Sequence, residues 1–142
     1  MANIVHFSEA ASIGFHAMVL LARFPEKEMH RHDIAVIIHV SEAHLSKVLQ
    51  RLRRAGLINA VRGPNGGYKL AVDPATIFLR NIYVTIDGEP ERPGCLLNSP
   101  RCVAKSCLLG NLISDLSGQV DDFLAKTTLQ MVCCSGMAIV EK

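Results

Sequence analysis

The stretch SEAHLSKVLQRLRRAGLINAVRGPNGGYKLAV, residues Ser41–Val72, decides how this chain folds. Ser41 is a favourable helix N-cap, and behind it Leu45, Val48, Leu49 and Leu52 keep the i, i+3, i+4, i+7 spacing of an amphipathic helix. At about 100° per residue, His44, Lys47, Arg51 and Arg54 fall in a stripe on the opposite side, so the apolar and basic faces separate cleanly. Gly56 supplies the C-terminal cap. Leu57–Val61 and Tyr68–Val72 then read as two short strands, with Tyr68, Leu70 and Val72 alternating. Between them lies Arg62-Gly63-Pro64-Asn65-Gly66-Gly67, whose Asn-Gly is a hairpin signal, and Asp73-Pro74 closes the unit.

Working outward, Ile13, Ala17, Leu20 and Leu21 place a first helix over Glu9–Arg23, ended by Phe24-Pro25. His30–Ile38 is a second, shorter one, with Ile34, Ile37 and Ile38 on one face. Helix, tight turn, basic helix and hairpin in that order is the layout of a winged helix-turn-helix, in which one helix enters the major groove of DNA and the hairpin reaches an adjacent groove. A fourth helix is expected near Leu79–Ile86. From Asp87 to Cys107 the chain is rich in Gly, Pro and Cys without periodicity, and reads as a loop. Leu109, Leu112, Ile113, Leu116, Val120, Phe123 and Leu124 then mark a long apolar stripe, more than a small domain covers alone, which points to a dimer interface of paired helices. The fold class is therefore mainly α with a small β-hairpin: a winged helix-turn-helix domain (1–88), a cysteine-rich loop (89–107), a long C-terminal dimerisation helix (108–128) and a tail (129–142).

Apolar residues make up 49% of the 142 and charged ones 20%, enough for a packed core and too ordered a composition for a disordered chain. The net charge of +2 is unevenly spread: Glu42–Lys69 carries six bases against one acid, whereas Leu108–Lys142 carries four acids against two bases. A basic cluster of this kind is the electrostatic footprint of a phosphate-binding surface. No run approaches the roughly 18 apolar residues of a membrane span, and Met1–Phe7 lacks the features of a secretion signal, so a cytoplasmic location without membrane attachment is expected. In that compartment five cysteines, an odd number, point to thiols, metal ligands or redox sensors rather than a disulfide framework.

At Arg62-Gly63-Pro64-Asn65-Gly66-Gly67-Tyr68-Lys69-Leu70, preceded by Leu52-Arg53-Arg54-Ala55-Gly56-Leu57-Ile58, the chain resembles the Rrf2 family of bacterial winged-helix regulators. The resemblance runs from about Val5 to Leu129 and includes a cysteine-bearing loop ahead of a long helix and the ending Thr127-Thr128-Leu129. It implies a cytoplasmic, homodimeric protein that binds double-stranded DNA to regulate transcription, a repressor being the expectation, with an iron-sulfur cluster as the sensor of nitric oxide, oxidants or iron status. Two departures stand out. Cys95, Cys102 and Cys107 are separated by six and then four residues rather than evenly, and the position three beyond the last of them, where cluster-assembly regulators of the family have a histidine, is Gly110. In the nitric-oxide-sensing type an acidic residue of the first helix, donated by the other subunit, completes the cluster. Phe7-Ser8-Glu9 matches that motif with Glu for the usual Asp, which makes Glu9 the expected fourth ligand and a four-iron cluster the preferred form over a two-iron one; His6 and His16 are rivals for that place.

Soft thiolates suit iron-sulfur centres, and three cysteines within 13 residues can close round one cluster. Taken on spacing alone they could equally be ordinary loop thiols or hold zinc. Cys133 and Cys134, adjacent in the tail, read as structural or incidental, and His30, His32 and His39 as surface or helix-end residues. For DNA, the exposed face of the third helix should present Ser41, His44, Ser46, Lys47 and Arg51, and the hairpin Arg62 and Asn65, with Arg62 in the minor groove by resemblance. An enzyme is not expected: no Cys-x-x-Cys follows a strand, no nucleophile, base and orienting group assemble, and Gly63–Gly67 lacks the Gly-Lys-Ser/Thr ending of a nucleotide loop. The alternative within DNA binding is a cluster-free family member governed by thiol oxidation or a partner protein.

Overall fold

Helix α1 (Glu9–Arg23) is the axis of the molecule, described by a computed structural model over residues 5–91 and 107–135. Its Ser8 cap accepts a hydrogen bond from the Ala11 N–H at 2.9 Å, and nine of its fifteen residues are buried, because α2 (Arg31–Ile38), α3 (Glu42–Arg54), α4 (Leu79–Asp87) and α6 (Leu129–Cys134) all pack on it. The core gathers Met18, Leu20 and Leu21 of α1 with Ile34, Leu45, Leu49, Leu52, Ile58, Ile77, Ile82 and Leu129, each fully buried. On area grounds each such side chain contributes about 1.5–3 kcal/mol.

The two helix ends flanking the turn and hairpin are closed by the same device. After α3, Gly56 takes φ 78°, its N–H donates to the Arg53 carbonyl, and the Leu57 N–H reaches back to Leu52, a Schellman closure. After α2 the corresponding residue is His39, at φ 56° and ψ 48°, with Val40 N–H donating to Ala35. The second helix starts one residue later than its periodicity implies, since His30 is extended and serves as its cap.

Strands β1 (Ile58–Val61) and β2 (Gly67–Leu70) pair antiparallel with Ile58 opposite Leu70 and Ala60 opposite Tyr68. They are shorter than the alternation of Tyr68, Leu70 and Val72 implies, Val72 lying beyond the ladder and exposed. A contact invisible to sequence periodicity anchors the hairpin: Met29, between α1 and α2, exchanges both backbone hydrogen bonds with Tyr68 (3.0 and 2.8 Å). Gly67 is needed there, because a Cβ would stand 2.6 Å from the Met29 carbonyl oxygen.

Helix α5 (Leu112–Lys126) begins later than the apolar stripe, which starts at Leu109; Gly110, at φ 58°, turns the chain just ahead of it. Beyond α5 the chain returns to α1. Leu79 N–H donates to Thr127 and Leu129 N–H to Ile77 (2.9 and 2.7 Å), and this bridge seats α6 against α1. Arg80 of α4 binds Asp121 of α5 at 2.8 Å and Glu89 at 2.7 Å. The carboxylates hold its guanidinium well above its ordinary pKa range, and the trio ties α5 to α4.

Candidate DNA interface and sensor elements

The separation of faces expected of α3 is present in three dimensions. Leu45, Val48, Leu49 and Leu52 are buried, while His44, Lys47, Arg51, Arg53 and Arg54 are exposed. Ser41 caps the helix, its hydroxyl accepting the His44 N–H at 3.2 Å, and Ser46 is half-buried. Arg62 and Asn65 are both exposed in the loop joining β1 to β2. In that loop the Gly66 N–H donates to Gly63 across a turn with Pro64 second, a position its fixed φ suits. Lys47, Arg62 and Asn65 thus present their side chains to solvent on the helix and the wing that follows it.

Besides Ser41, two members of the expected set have side-chain partners within the chain. Arg51 donates to the Ile86 carbonyl at 2.7 Å, a cation at the C-terminal end of α4, where the helix dipole favours it; it fastens α3 to α4. His44 faces Glu9, Nδ1 to Oε1 at 3.5 Å, so the carboxylate at the start of α1 lies beside the basic face of α3.

Sequence reading missed a brace across the helix-turn-helix. Glu42, in the first turn of α3, receives Arg31 Nε at 3.3 Å and stands 2.6 Å from His32 Nδ1, both bases lying in the first turn of α2. The hydrogen bond to Glu42, aided by its charge, raises the His32 pKa, and the bonds from His32 and Arg31 lower that of Glu42. Three residues eleven apart or less in sequence carry no periodic signal; only the crossing of the two helices brings them together.

Of the expected cluster ligands, Cys95 and Cys102 lie outside the described residues. Cys107 is a free, half-buried thiol just ahead of the turn into α5, and Glu9 is largely exposed, 72% for its side chain. Among the described residues no three His, Cys, Asp or Glu side chains stand together as a metal site. His6 is exposed, and His16, also exposed, turns its Nδ1 to the Ser12 carbonyl at 2.7 Å. A Gly at position 110, in a left-handed conformation, offers no ligand and suits the backbone there.

Between α1, α2 and α5 runs an apolar groove of about 840 Å³ lined by Phe7, Phe15, Val19, Ile37, Val120 and Phe123 among others. Within the stripe of α5 only Leu124 is buried. Leu112, Leu116 and Phe123 remain exposed at 50%, 36% and 61%. No helix among the described residues is long and apolar enough to cross a membrane.

Three helices, the third basic and packed as the second half of a helix-turn-helix, followed by a hairpin with an Arg-bearing loop, define a winged helix-turn-helix protein. Residues 7–135 match the family described as Rrf2, iron-dependent transcriptional regulator, and the chain belongs to that family. It is 34% identical over 97 residues to the regulator IscR of Vibrio vulnificus, a match that takes in 68% of this chain and 58% of that protein, so the chain spans little more than half the length of such curated relatives. Its fold superposes on CymR (YrzC), the global cysteine regulator of B. subtilis, with a TM-score of 0.75 and 26% identity over 92% of this chain and 97% of that one. The oxidised form of Staphylococcus aureus CymR is similar, at TM-score 0.72 and 27% identity, covering 91% and 96%. These relatives are named as regulators, in keeping with the expectation of a non-enzymatic protein.

Proposed function

We propose that this protein represses transcription by binding double-stranded DNA as a homodimer, and that an iron-sulfur cluster held by Cys95, Cys102, Cys107 and Glu9 of the partner subunit sets its affinity in response to nitric oxide, oxidants or iron status. The observation that carries the DNA half is the joint exposure of Lys47 on α3 and Arg62 and Asn65 on the wing, a pairing suited to reading one groove with a helix and the next with a loop. Arg51 and the Arg31–His32–Glu42 brace keep α3 in place for this. For the dimer, the apolar groove and the uncovered Leu112, Leu116 and Phe123 of α5 are the surface a second copy would bury.

The cluster reading rests on donor chemistry: three thiols and one carboxylate are a ligand set an iron-sulfur cluster accepts, and the family's description names iron. When bound, a four-iron cluster with one hard oxygen ligand would supply an exchangeable iron corner to a small diatomic or an oxidant. The chain's own part is to offer the thiols ahead of α5 and to hold Glu9 on the first turn of α1, beside His44 of the DNA-facing helix.

The test is anaerobic purification with iron and sulfide assays and a visible spectrum, for the native protein and Cys102→Ala. Colour and sulfide that vanish in the variant and bleach with nitric oxide are expected; a colourless native protein that still binds operator DNA would sink the cluster. In that event the cluster-free reading takes over, favoured by the likeness to a regulator whose oxidised form has been solved, with thiol oxidation as the control. Independently, Arg62→Ala is expected to weaken specific DNA binding roughly tenfold.

A further inference from the structure

Adjacent residues of an α-helix project about 100° apart, so neighbouring side chains ordinarily diverge. In α6 two of them converge: the Sγ atoms of Cys133 and Cys134 stand 3.8 Å apart, and the Cys133 thiol also lies 3.4 Å from the Gln130 carbonyl. Cys133 is half-buried against the core beside α1, whereas Cys134 is exposed. One sulfur is therefore anchored and the other open to solvent. Arg23, in the last turn of α1, lies near enough for its charge to act on Cys133, and its buried Nε has no hydrogen-bond partner among the described residues.

We propose that Cys133 and Cys134 form a chelating site for trivalent arsenicals. Burial and the neighbouring Cys134 raise the Cys133 pKa, which favours the thiol form at the anchored sulfur, whereas ordinary alkylating agents and divalent metals require thiolates. A trivalent arsenic hydroxide needs no prior ionisation. Two S–H bonds and two As–O bonds break, two As–S bonds form, and two water molecules leave carrying both protons; arsenic stays trivalent and no oxidant or reductant takes part. Structural zinc wants four protein ligands, and the described residues bring no third His, Cys, Asp or Glu to this pair. Arsenic is satisfied by the two sulfurs and its own remaining substituent. Because one sulfur belongs to the α6–α1 packing, occupancy stabilises that seam.

The probe is phenylarsine oxide, applied to the reduced chain carrying Cys95→Ser, Cys102→Ser and Cys107→Ser so that the loop thiols cannot compete. One phenylarsenic group per chain is expected by intact mass, with both remaining thiols lost to titration, retention through a monothiol wash, release by 2,3-dimercaptopropanol and a raised melting temperature. Adding Cys134→Ser, at an exposed position, should abolish retention. Failure of the triple variant to retain the probe, or retention surviving Cys134→Ser, overturns the site. In the native chain, iodoacetamide at alkaline pH should label Cys133 and Cys134 without the arsenical and spare them with it; labelling of both in its presence overturns the site as well.

Discussion

His39 holds a left-handed backbone, φ 56° and ψ 48°, at the turn between α2 and α3, the lone non-glycine with positive φ among the described residues. An L-residue pays roughly 1–2 kcal/mol for that conformation, and glycine gives back part of it as lost chain entropy. His39→Gly should therefore stabilise the protein by about 0.5–1 kcal/mol, read as a higher urea midpoint at unchanged slope; a lower midpoint would mean that the imidazole contributes packing along the groove it lines. The pair His32–Glu42 makes a different claim, about pH. His32 has its pKa raised above 6.5, so its share of the stability is complete below that value and disappears as pH rises through the folded value. Glu42 has its pKa lowered from 4.5, so its share is complete above that value and disappears as pH falls through the folded one. The brace is strongest between the two, and the melting-temperature gap between native protein and Glu42→Gln should shrink from pH 6 towards alkaline pH. A gap independent of pH would remove the ion pair from the account. The sequence marked His30, His32 and His39 as surface or helix-end residues: His30 and His39 stand at the ends of α2 and His32 is exposed in its first turn, while the partner of His32 was hidden because it depends on how two helices cross.

Elements with two or more turns of strict periodicity were legible: α1 and α3 lie where their apolar residues put them, α5 follows its stripe from Leu112 onward, and the hairpin lies where its glycines put it. Helix α6 was not, because six residues hold less than two turns and such a short helix owes its existence to tertiary packing rather than propensity. Its key is Leu129, fully buried where the chain bridges back to Ile77. Leu129→Ala should cost about 3 kcal/mol, measured by chemical denaturation; a loss below about 1 kcal/mol would mean that α6 is only loosely attached. The wing makes the complementary case. Gly67→Val forces a side chain against the Met29 backbone and should lower DNA affinity through misplacement of Arg62 and Asn65 while the helical circular dichroism is kept. Unaltered binding would show that the wing reaches DNA without its anchor on Met29.

At the scale of the whole molecule the sequence foretold that the apolar stripe of α5 exceeds what one chain covers, and the structure leaves Leu112, Leu116 and Phe123 in the open. The ligand set was less legible. Spacing names Cys95, Cys102 and Cys107 as neighbours along the chain, but the proposed fourth ligand, Glu9, was named by resemblance alone, because spacing within one chain carries no signal for a residue that another subunit would donate. The stripe and the proposed DNA surface lie on opposite charge territories, acidic at the C-terminal end and basic between Glu42 and Lys69, so the proposed dimer and DNA contacts can be disturbed separately. Phe123→Asp places a charge at the most exposed of these three stripe residues and should convert the proposed dimer to monomer in sedimentation, with unchanged helical circular dichroism showing that the fold is kept. A symmetric dimer reads two half-sites with one rigid body, and binding the second half-site then costs little, so the monomeric variant should lose about 10²-fold or more in operator affinity. Arg62→Ala should by contrast weaken binding while sedimenting as a dimer. If Phe123→Asp became monomeric and kept full affinity for a two-half-site operator, the helix pairing would have no part in recognition and each subunit would read DNA alone.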